Sequence, residues 1–268
     1  LVQAMLGKRM ETFFPKVQAS IGEEILRVEN LRDPKTLNGV GFTVRSGEIV
    51  SLVGAVGAGK TEILECLFGL RKADAGQIVF RGKPLGRSHG AQRAIGMGMA
   101  LIPEDRALQG MIGDYAVREN LSSVDMPQAC HLGVFSRARE DRLAQGLVHQ
   151  LDVRPNDIHY RMTGLSGGNQ QKVVVGKWLT SDYPLYLMDE VTAGVDIEAK
   201  AEIYKIIGRI VQQGSAVLLA TGDIEEAMGI SDRIIVLYKG RIVHECTPSQ
   251  TTKDSLLAYI MGGGNRAQ

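Results

Sequence analysis

Eight residues, Gly54-Ala55-Val56-Gly57-Ala58-Gly59-Lys60-Thr61, constrain this chain more than any other feature. They fit the pattern GxxxxGK(S/T) and lie between an apolar run, Ile49 to Val53, and a segment of helical periodicity, Thr61 to Phe68. A strand that ends in glycine and turns directly into a helix belongs in a parallel sheet with helices packed on it. Glycines let backbone N–H groups turn inward around a polyphosphate, and the helix N-terminus adds a favourable dipole. Lys60 would reach the β and γ phosphates, and the Thr61 hydroxyl would ligate Mg²⁺. A glycine-rich turn that holds no ligand is the plain alternative.

The rest of the chain continues the alternation. Ile25 to Val28 and Val40 to Val44 alternate like strands of a half-exposed sheet. Gln77 to Phe80, Met99 to Ile102, Leu185 to Met188, Ala216 to Ala220 and Arg233 to Tyr238 read as strands, whereas Arg137 to Gln150, Gln170 to Leu179 and Ile197 to Val211 read as helices. The expected fold is a parallel α/β core flanked by an antiparallel N-terminal sheet. The stretch from about Ala107 to Thr163 lacks core strands and reads as an inserted helical lobe. Leu1 to Ile21, with Phe13-Phe14-Pro15, reads as a linker.

A second set of chemical groups follows. Leu185 to Met188 delivers Asp189 and Glu190 at a strand end, where Asp189 can hold a magnesium shell and Glu190 can polarise water. Adjacent carboxylates also occur in ordinary loops. Ser166 precedes Asp189 by 23 positions (189 − 166), room for one helix and one turn. Ser166, Gly167 and Gly168 stand before a helix starting near Asn169, so hydroxyl and backbone donors there suit a phosphate. The bland reading is a helix cap.

Thirty-one basic and thirty acidic residues leave a net charge of +1, which gives no electrostatic footprint for nucleic acid or anionic lipid. No apolar run approaches the roughly 20 residues needed to span a bilayer. Cys66, Cys130 and Cys246 are too scattered for a disulfide framework or a metal rhythm, as are His89, His131, His149, His159 and His244. Met97 and Met99 look like core neighbours on a strand, Arg137 to Arg142 like a solvated helix face, and Trp178 like packing.

Leu165-Ser166-Gly167-Gly168-Asn169-Gln170-Gln171 nearly reproduces the signature loop of ABC-type ATPases. With the phosphate loop and Asp189-Glu190, it makes the chain resemble an ABC-transporter nucleotide-binding domain: a P-loop NTPase core with an antiparallel β subdomain and an inserted helical subdomain. Leu1 to Pro15 with Gly7-Lys8-Arg9, the loop through Glu62, Ile102-Pro103-Glu104-Asp105-Arg106, Gly194-Val195-Asp196 and Ser231-Asp232-Arg233 resemble one subgroup. That subgroup is the tandem ATPase of monosaccharide importers, with nucleoside and autoinducer importers as cousins, and the likeness is to its C-terminal half.

The resemblance implies a linker over 1–23, a nucleotide-binding domain over 24–262 and a tail over 263–268. It implies an ATP hydrolase that uses ATP and Mg²⁺, placed peripherally on the cytoplasmic side of the cell membrane. Its implied partners are a second ABC ATPase domain, the N-terminal half of a full-length protein, together with a membrane permease and, indirectly, a solute-binding protein, but no nucleic acid. The nucleotide would contact Gly54 to Glu62 on this chain; Ser166, Gly167, Gly168 and Asn169 would meet the nucleotide bound to the partner. Glu104 stands near Mg²⁺ where most ABC domains have glutamine. Asp196 would touch the partner domain, and residues Met111 to Glu119 the permease.

Three departures bear on turnover. Gly222 stands where hydrolytic ABC domains carry a switch histidine, and losing one preorganised donor lowers the rate by roughly 10² to 10³. Ile25 to Gly41 offers no aromatic for adenine. Val191 follows Glu190 where the resembled family usually has proline, which would loosen the turn presenting the carboxylates. Lys60 is kept. An ABC protein of DNA or ribosomes is the competing class, but Lys60 and Ser166 are only 106 positions apart (166 − 60), too few for a long coiled coil. A nucleotide-binding half that hydrolyses little is the third reading.

Overall fold

The computed structural model describes residues 14–263. The sequence motif within residues 1–13, most of the expected linker, and residues 264–268 of the expected tail lie outside the described residues.

Four antiparallel strands form the first sheet: β1 (Glu24–Arg32), β2 (Asn38–Arg45), β4 (Ala75–Phe80) and β5 (Lys83–Leu85), in the order β2-β1-β4-β5. Their alternating burial, as in Leu26, Val28, Val40, Phe42 and Val44, follows from one face packing on the core. The second sheet has six strands. β3 (Ile49–Gly54), β6 (Met99–Ile102), β9 (Leu185–Asp189), β10 (Ala216–Thr221), β11 (Arg233–Tyr238) and β12 (Arg241–Cys246) run in the order β12-β11-β3-β10-β9-β6. β11, β3, β10 and β9 pair in parallel, and every residue of β3, β9 and β10 is buried, as covered parallel strands require.

The helices are α1 (Lys60–Phe68), α2 (Ala91–Met97), α3 (Val117–Ser122), α4 (Arg137–Gln150), α5 (Gly167–Gly176), α6 (Ile197–Gln212), α7 (Ile224–Ile230) and α8 (Lys253–Ile260). A small hairpin, β7 (Cys130–His131) with β8 (Val134–Phe135), precedes α4. The described chain divides into two compact units. One holds residues up to Leu101, Pro184–Glu190 and residues from Ile207 on; the other holds Ile102–Tyr183 and Val191–Ile206. The expected helical lobe, 107–163, falls within the second. Among the described residues, no helix is long and apolar enough to cross a membrane.

Three expectations need correction. Met97 closes α2 rather than lying on a strand, because Gly98 takes a left-handed cap at φ 100° before β6 begins. Only Met99 is fully buried. The helix expected over Gln170 to Leu179 starts at Gly167, with Ser166 as its cap, and gives way at Lys177–Thr180 to a 3₁₀ turn. The charge run at Arg137 to Arg142 is not wholly solvated. Glu140 is 2% exposed, accepts a 2.7 Å hydrogen bond from Ser122 and pairs with Arg137 at 2.9 Å and Arg118 at 3.7 Å.

The part of the N-terminal segment that is described packs on the first unit. A Cβ at Gly229 would lie 2.4 Å from Phe14, and one at Gly208 2.6 Å from Val17. Lys16 donates to the Ser231 carbonyl at 2.5 Å and pairs with Asp232 at 3.2 Å. Trp178 is buried edge-to-face against Tyr183, with ring centroids 5.3 Å apart.

Candidate nucleotide site

Register explains how the first unit assembles its chemistry. Val53 on β3 pairs with Thr221 on β10, and Asp189 on β9 pairs with Ala220 on β10. Gly54, Glu190 and Gly222 therefore leave three adjacent parallel strands at nearly the same level, at the carboxyl edge where open α/β sheets bind ligands.

At Gly54 the chain turns. A Cβ there would lie 2.7 Å from the Leu237 carbonyl oxygen and 2.8 Å from Ala58 Cβ, so only glycine fits. Gly57 and Gly59 take φ of 76° and 109°, and Gly59 caps α1 from a left-handed conformation. Ala55, Val56 and Gly57 are exposed, while Ala58, Gly59 and Lys60 are buried and Thr61 and Glu62 half-buried. An added Cβ at Gly57 would meet nothing within 4 Å, so the loop faces open space there. Lys60 Nζ donates to the Gly54 carbonyl at 2.9 Å and sits 3.7 Å from Glu190 Oε1.

Asp189 is buried at the end of β9, and Glu190 follows with φ 43°, a left-handed conformation that non-glycine residues enter at a cost of roughly 1–2 kcal/mol. Its N–H donates to the Ala220 carbonyl at 2.9 Å, which ties the turn back to β10. Strain of this kind concentrates at functional sites. Gly222 is exposed, and a Cβ on it would lie 3.4 Å from Glu190 Oε1. Thr221 Oγ1 accepts from the Asp223 N–H at 3.0 Å, and Asp223 caps α7, so this turn too is fixed.

The Thr61 hydroxyl and the buried Asp189 carboxylate fit a magnesium–triphosphate, since Mg²⁺ is usually held by one or two carboxylates plus phosphate oxygens. Among the described residues no group of three or more His, Cys, Asp or Glu could form a metal cage.

The second unit carries the other expected site residues. Ser166 is exposed and caps α5; its Oγ accepts from Asn169 Nδ2 at 2.9 Å. Asn169 Oδ1 in turn accepts the Arg154 N–H at 2.8 Å. A Cβ at Gly168 would lie 2.4 Å from Ala199 Cβ and 3.3 Å from Asp196 Oδ2, so the signature turn packs tightly on the start of α6. Asp196 caps that helix, accepting the Ala199 N–H at 3.0 Å. Glu104 is exposed, just before a π-helical turn, Arg106–Gly110. Ile112 and Tyr115 are about half exposed, at 48% and 52%. The structure thus gathers Lys60, Glu190 and Gly222 in one unit, and Ser166 to Asn169 with Asp196 in the other. The sequence reading named Arg106 only as part of the 102–106 motif and gave it no role; its guanidinium reaches Gln170 and Ala193.

A strand–turn–helix cradle, an acidic strand end and a capped Ser-Gly-Gly turn define an ATP-binding cassette. The family model described as "ABC transporter" matches residues 37–193, and the chain belongs to that family. It is 40% identical to the ribose import ATP-binding protein RbsA 2 of Streptomyces coelicolor, over 97% of this chain and 50% of that protein. It is 37% identical to a putative ribose/galactose/methyl galactoside import ATP-binding protein of Rhizobium etli, over 98% of this chain and 50% of that protein. The chain thus spans about half the length of these curated relatives. Among solved structures, the cassette MJ0796 in a dimeric post-hydrolysis state with ADP and Pi superposes with a TM-score of 0.72 at 20% identity, covering 84% of this chain and 99% of that one. At that identity the likeness shows the fold.

Proposed function

We propose that this chain is an ATP-binding, energy-coupling cassette of a monosaccharide importer. The observation that carries the reading is Lys60 Nζ held between the Gly54 carbonyl and the Glu190 carboxylate, at 2.9 Å and 3.7 Å. On this reading the backbone of Gly54 to Glu62 would cradle the phosphates, Lys60 would hold the β and γ oxygens, and Thr61 and Asp189 would hold Mg²⁺, for which Glu104 is a further candidate. Bound Mg²⁺ neutralises charge on the phosphates. Glu190 accepts a proton from the attacking water and orients it. Ser166, Gly167, Gly168 and Asn169 donate to the γ-phosphate on a partner cassette, which Asp196 also touches. The relatives' names support a sugar as cargo, and their roughly doubled length supports a partner cassette in the same polypeptide. Closure of the pair then moves a separate permease fed by a solute-binding protein, with the cassette peripheral on the cytoplasmic face.

Gly222 favours a second reading, in which this chain binds ATP but turns it over slowly and completes its partner's site. Calorimetry with Mg-ATP and steady-state phosphate release from the same chain test both. Lys60→Ala should abolish binding in either case. Tight binding that survives Lys60→Ala would sink the site assignment.

A further inference from the structure

Arg106 ties its own turn through its guanidinium to two other segments of the second unit, the start of α5 and the loop at Ala193. Nε donates to Gln170 Oε1 and Nη1 to the Ala193 carbonyl, each at 3.3 Å. Nη2 lies so close to the signature that a Cβ at Gly167 would be 2.8 Å from it. Gln170 is itself held, with its Nε2 donating to the Met162 carbonyl at 3.0 Å. The far end of the same turn is tied as well: Lys177 Nζ donates to the Gly110 carbonyl at 2.5 Å, and a Cβ at Gly110 would lie 3.1 Å from Val174 Cγ1. Asp105 caps the π-helical turn Arg106–Gly110 between these anchors, accepting the Ala107 and Leu108 N–H groups at 3.0 Å. Such turns are rare and concentrate at functional sites.

We propose that Arg106 is a positioning residue that locks Glu104–Gly110, the signature turn of α5 and the Ala193–Asp196 loop into one rigid body, so that displacement of any one carries the other two. The proposal rests on the function proposed above only for what that body does, which is to present the signature to the partner's nucleotide. The residue type matters. A planar guanidinium fork serves two acceptors at a fixed angle, whereas a lysine ammonium at the end of a flexible stem meets one or the other. An arginine that merely solvates the surface would leave all three segments unchanged when removed.

Hydrogen exchange on the full chain decides it. Arg106→Ala should speed exchange on the order of tenfold in peptides covering 106–110, 167–170 and 193–200, leaving β3, β9 and β10 unchanged. Arg106→Lys should restore only part of the protection, and Gln170→Ala, which breaks one of the Arg106 ties along with the Gln170–Met162 bond, should still loosen the 106–110 turn. In the transporter assembled with its permease, Arg106→Ala should lower kcat about tenfold at constant KM for ATP, while Mg-ATP affinity at the chain's own phosphate loop stays within about twofold. Exchange that rises uniformly, stays constant in the three segments, or is fully restored by lysine overturns the proposal. If the wild-type assembly turns over no ATP, the proposed function fails, and the exchange pattern still decides the role of Arg106.

Discussion

Replacing Gly222 by histidine would put an imidazole directly beside the candidate base. The Cβ of the new side chain would stand 3.4 Å from Glu190 Oε1, an ordinary van der Waals separation, with no other heavy atom within 4 Å outside its chain neighbours. The backbone at Gly222 is outside the left-handed region, and the turn is pinned by Thr221 and Asp223, so a side chain enters without strain. A donor aimed at charge developing in the transition state contributes about 3 kcal/mol when fully preorganised, or roughly 10² to 10³ in rate. An introduced imidazole lacks part of that preorganisation, so a rise of about tenfold or more is expected. The assay is steady-state phosphate release from Mg-ATP, with Glu190→Gln setting the floor. Wild-type turnover should sit near that floor, Gly222→His should raise it, and the double variant Gly222→His/Glu190→Gln should return to it. Mg-ATP affinity should change little, because the phosphate loop is untouched. Robust wild-type turnover that Glu190→Gln abolishes and Gly222→His leaves alone would refute the reasoning: the missing histidine would then not limit this cassette.

Burial pushes the Lys177 ammonium down to about 8. A lysine with a lowered folded-state pKa binds fewer protons folded than unfolded, so its charge destabilises the fold at neutral pH, a penalty relieved as pH rises from about 8 towards the ordinary lysine value. The stability of wild type relative to Lys177→Met should therefore improve by about 2 kcal/mol between pH 7 and pH 9.5, read by urea unfolding, and a flat difference would contradict the burial argument. Glu140→Ala should destabilise by about 1–3 kcal/mol, because it removes a buried carboxylate that accepts from Ser122 and pairs with Arg137, while Arg118 keeps its 3.2 Å pair with Asp141; a change within about 0.5 kcal/mol would return Glu140 to the solvent. Gly168→Ala should cost about 1–3 kcal/mol in the same assay, since its methyl would overlap Ala199, and in the assembled transporter it should depress turnover without altering ATP affinity at the chain's own loop.

The parts of the fold that were legible in sequence are those where one physical constraint acts over a whole segment. β3, β9 and β10 are buried on both faces, so their runs are continuously apolar and readable without partners. The phosphate loop was readable for a different reason: backbone geometry and phosphate chemistry together fix glycine, lysine and threonine at set intervals. Elements that depend on tertiary neighbours were not. α3 has six residues and α7 seven, too short for a period to emerge, and β12 carries Arg241, His244 and Glu245 among its apolar positions. Missing α3 led directly to the misreading of Glu140, since Arg118 and Ser122, which take it out of solvent, both lie on that helix.

The same reasoning explains why the candidate site was legible at its reactive groups and silent at their support. On the proposed function, Lys60, Thr61, Asp189 and Glu190 answer to what phosphate and magnesium demand, and that demand is local in sequence. Arg106 is chosen by where Gln170 and Ala193 happen to fall, 64 and 87 positions away, and no spacing rule announces such a choice. Gly168 behaves like Arg106 rather than like Gly57. Both glycines read alike in a motif, yet Gly57 borders open space, whereas Gly168 is small because Ala199 and Asp196 press against it. A variant series should separate them: substitution at Gly57 acts on nucleotide affinity, while substitution at Gly168 acts on stability and on the geometry of the signature turn, with affinity at the chain's own loop retained.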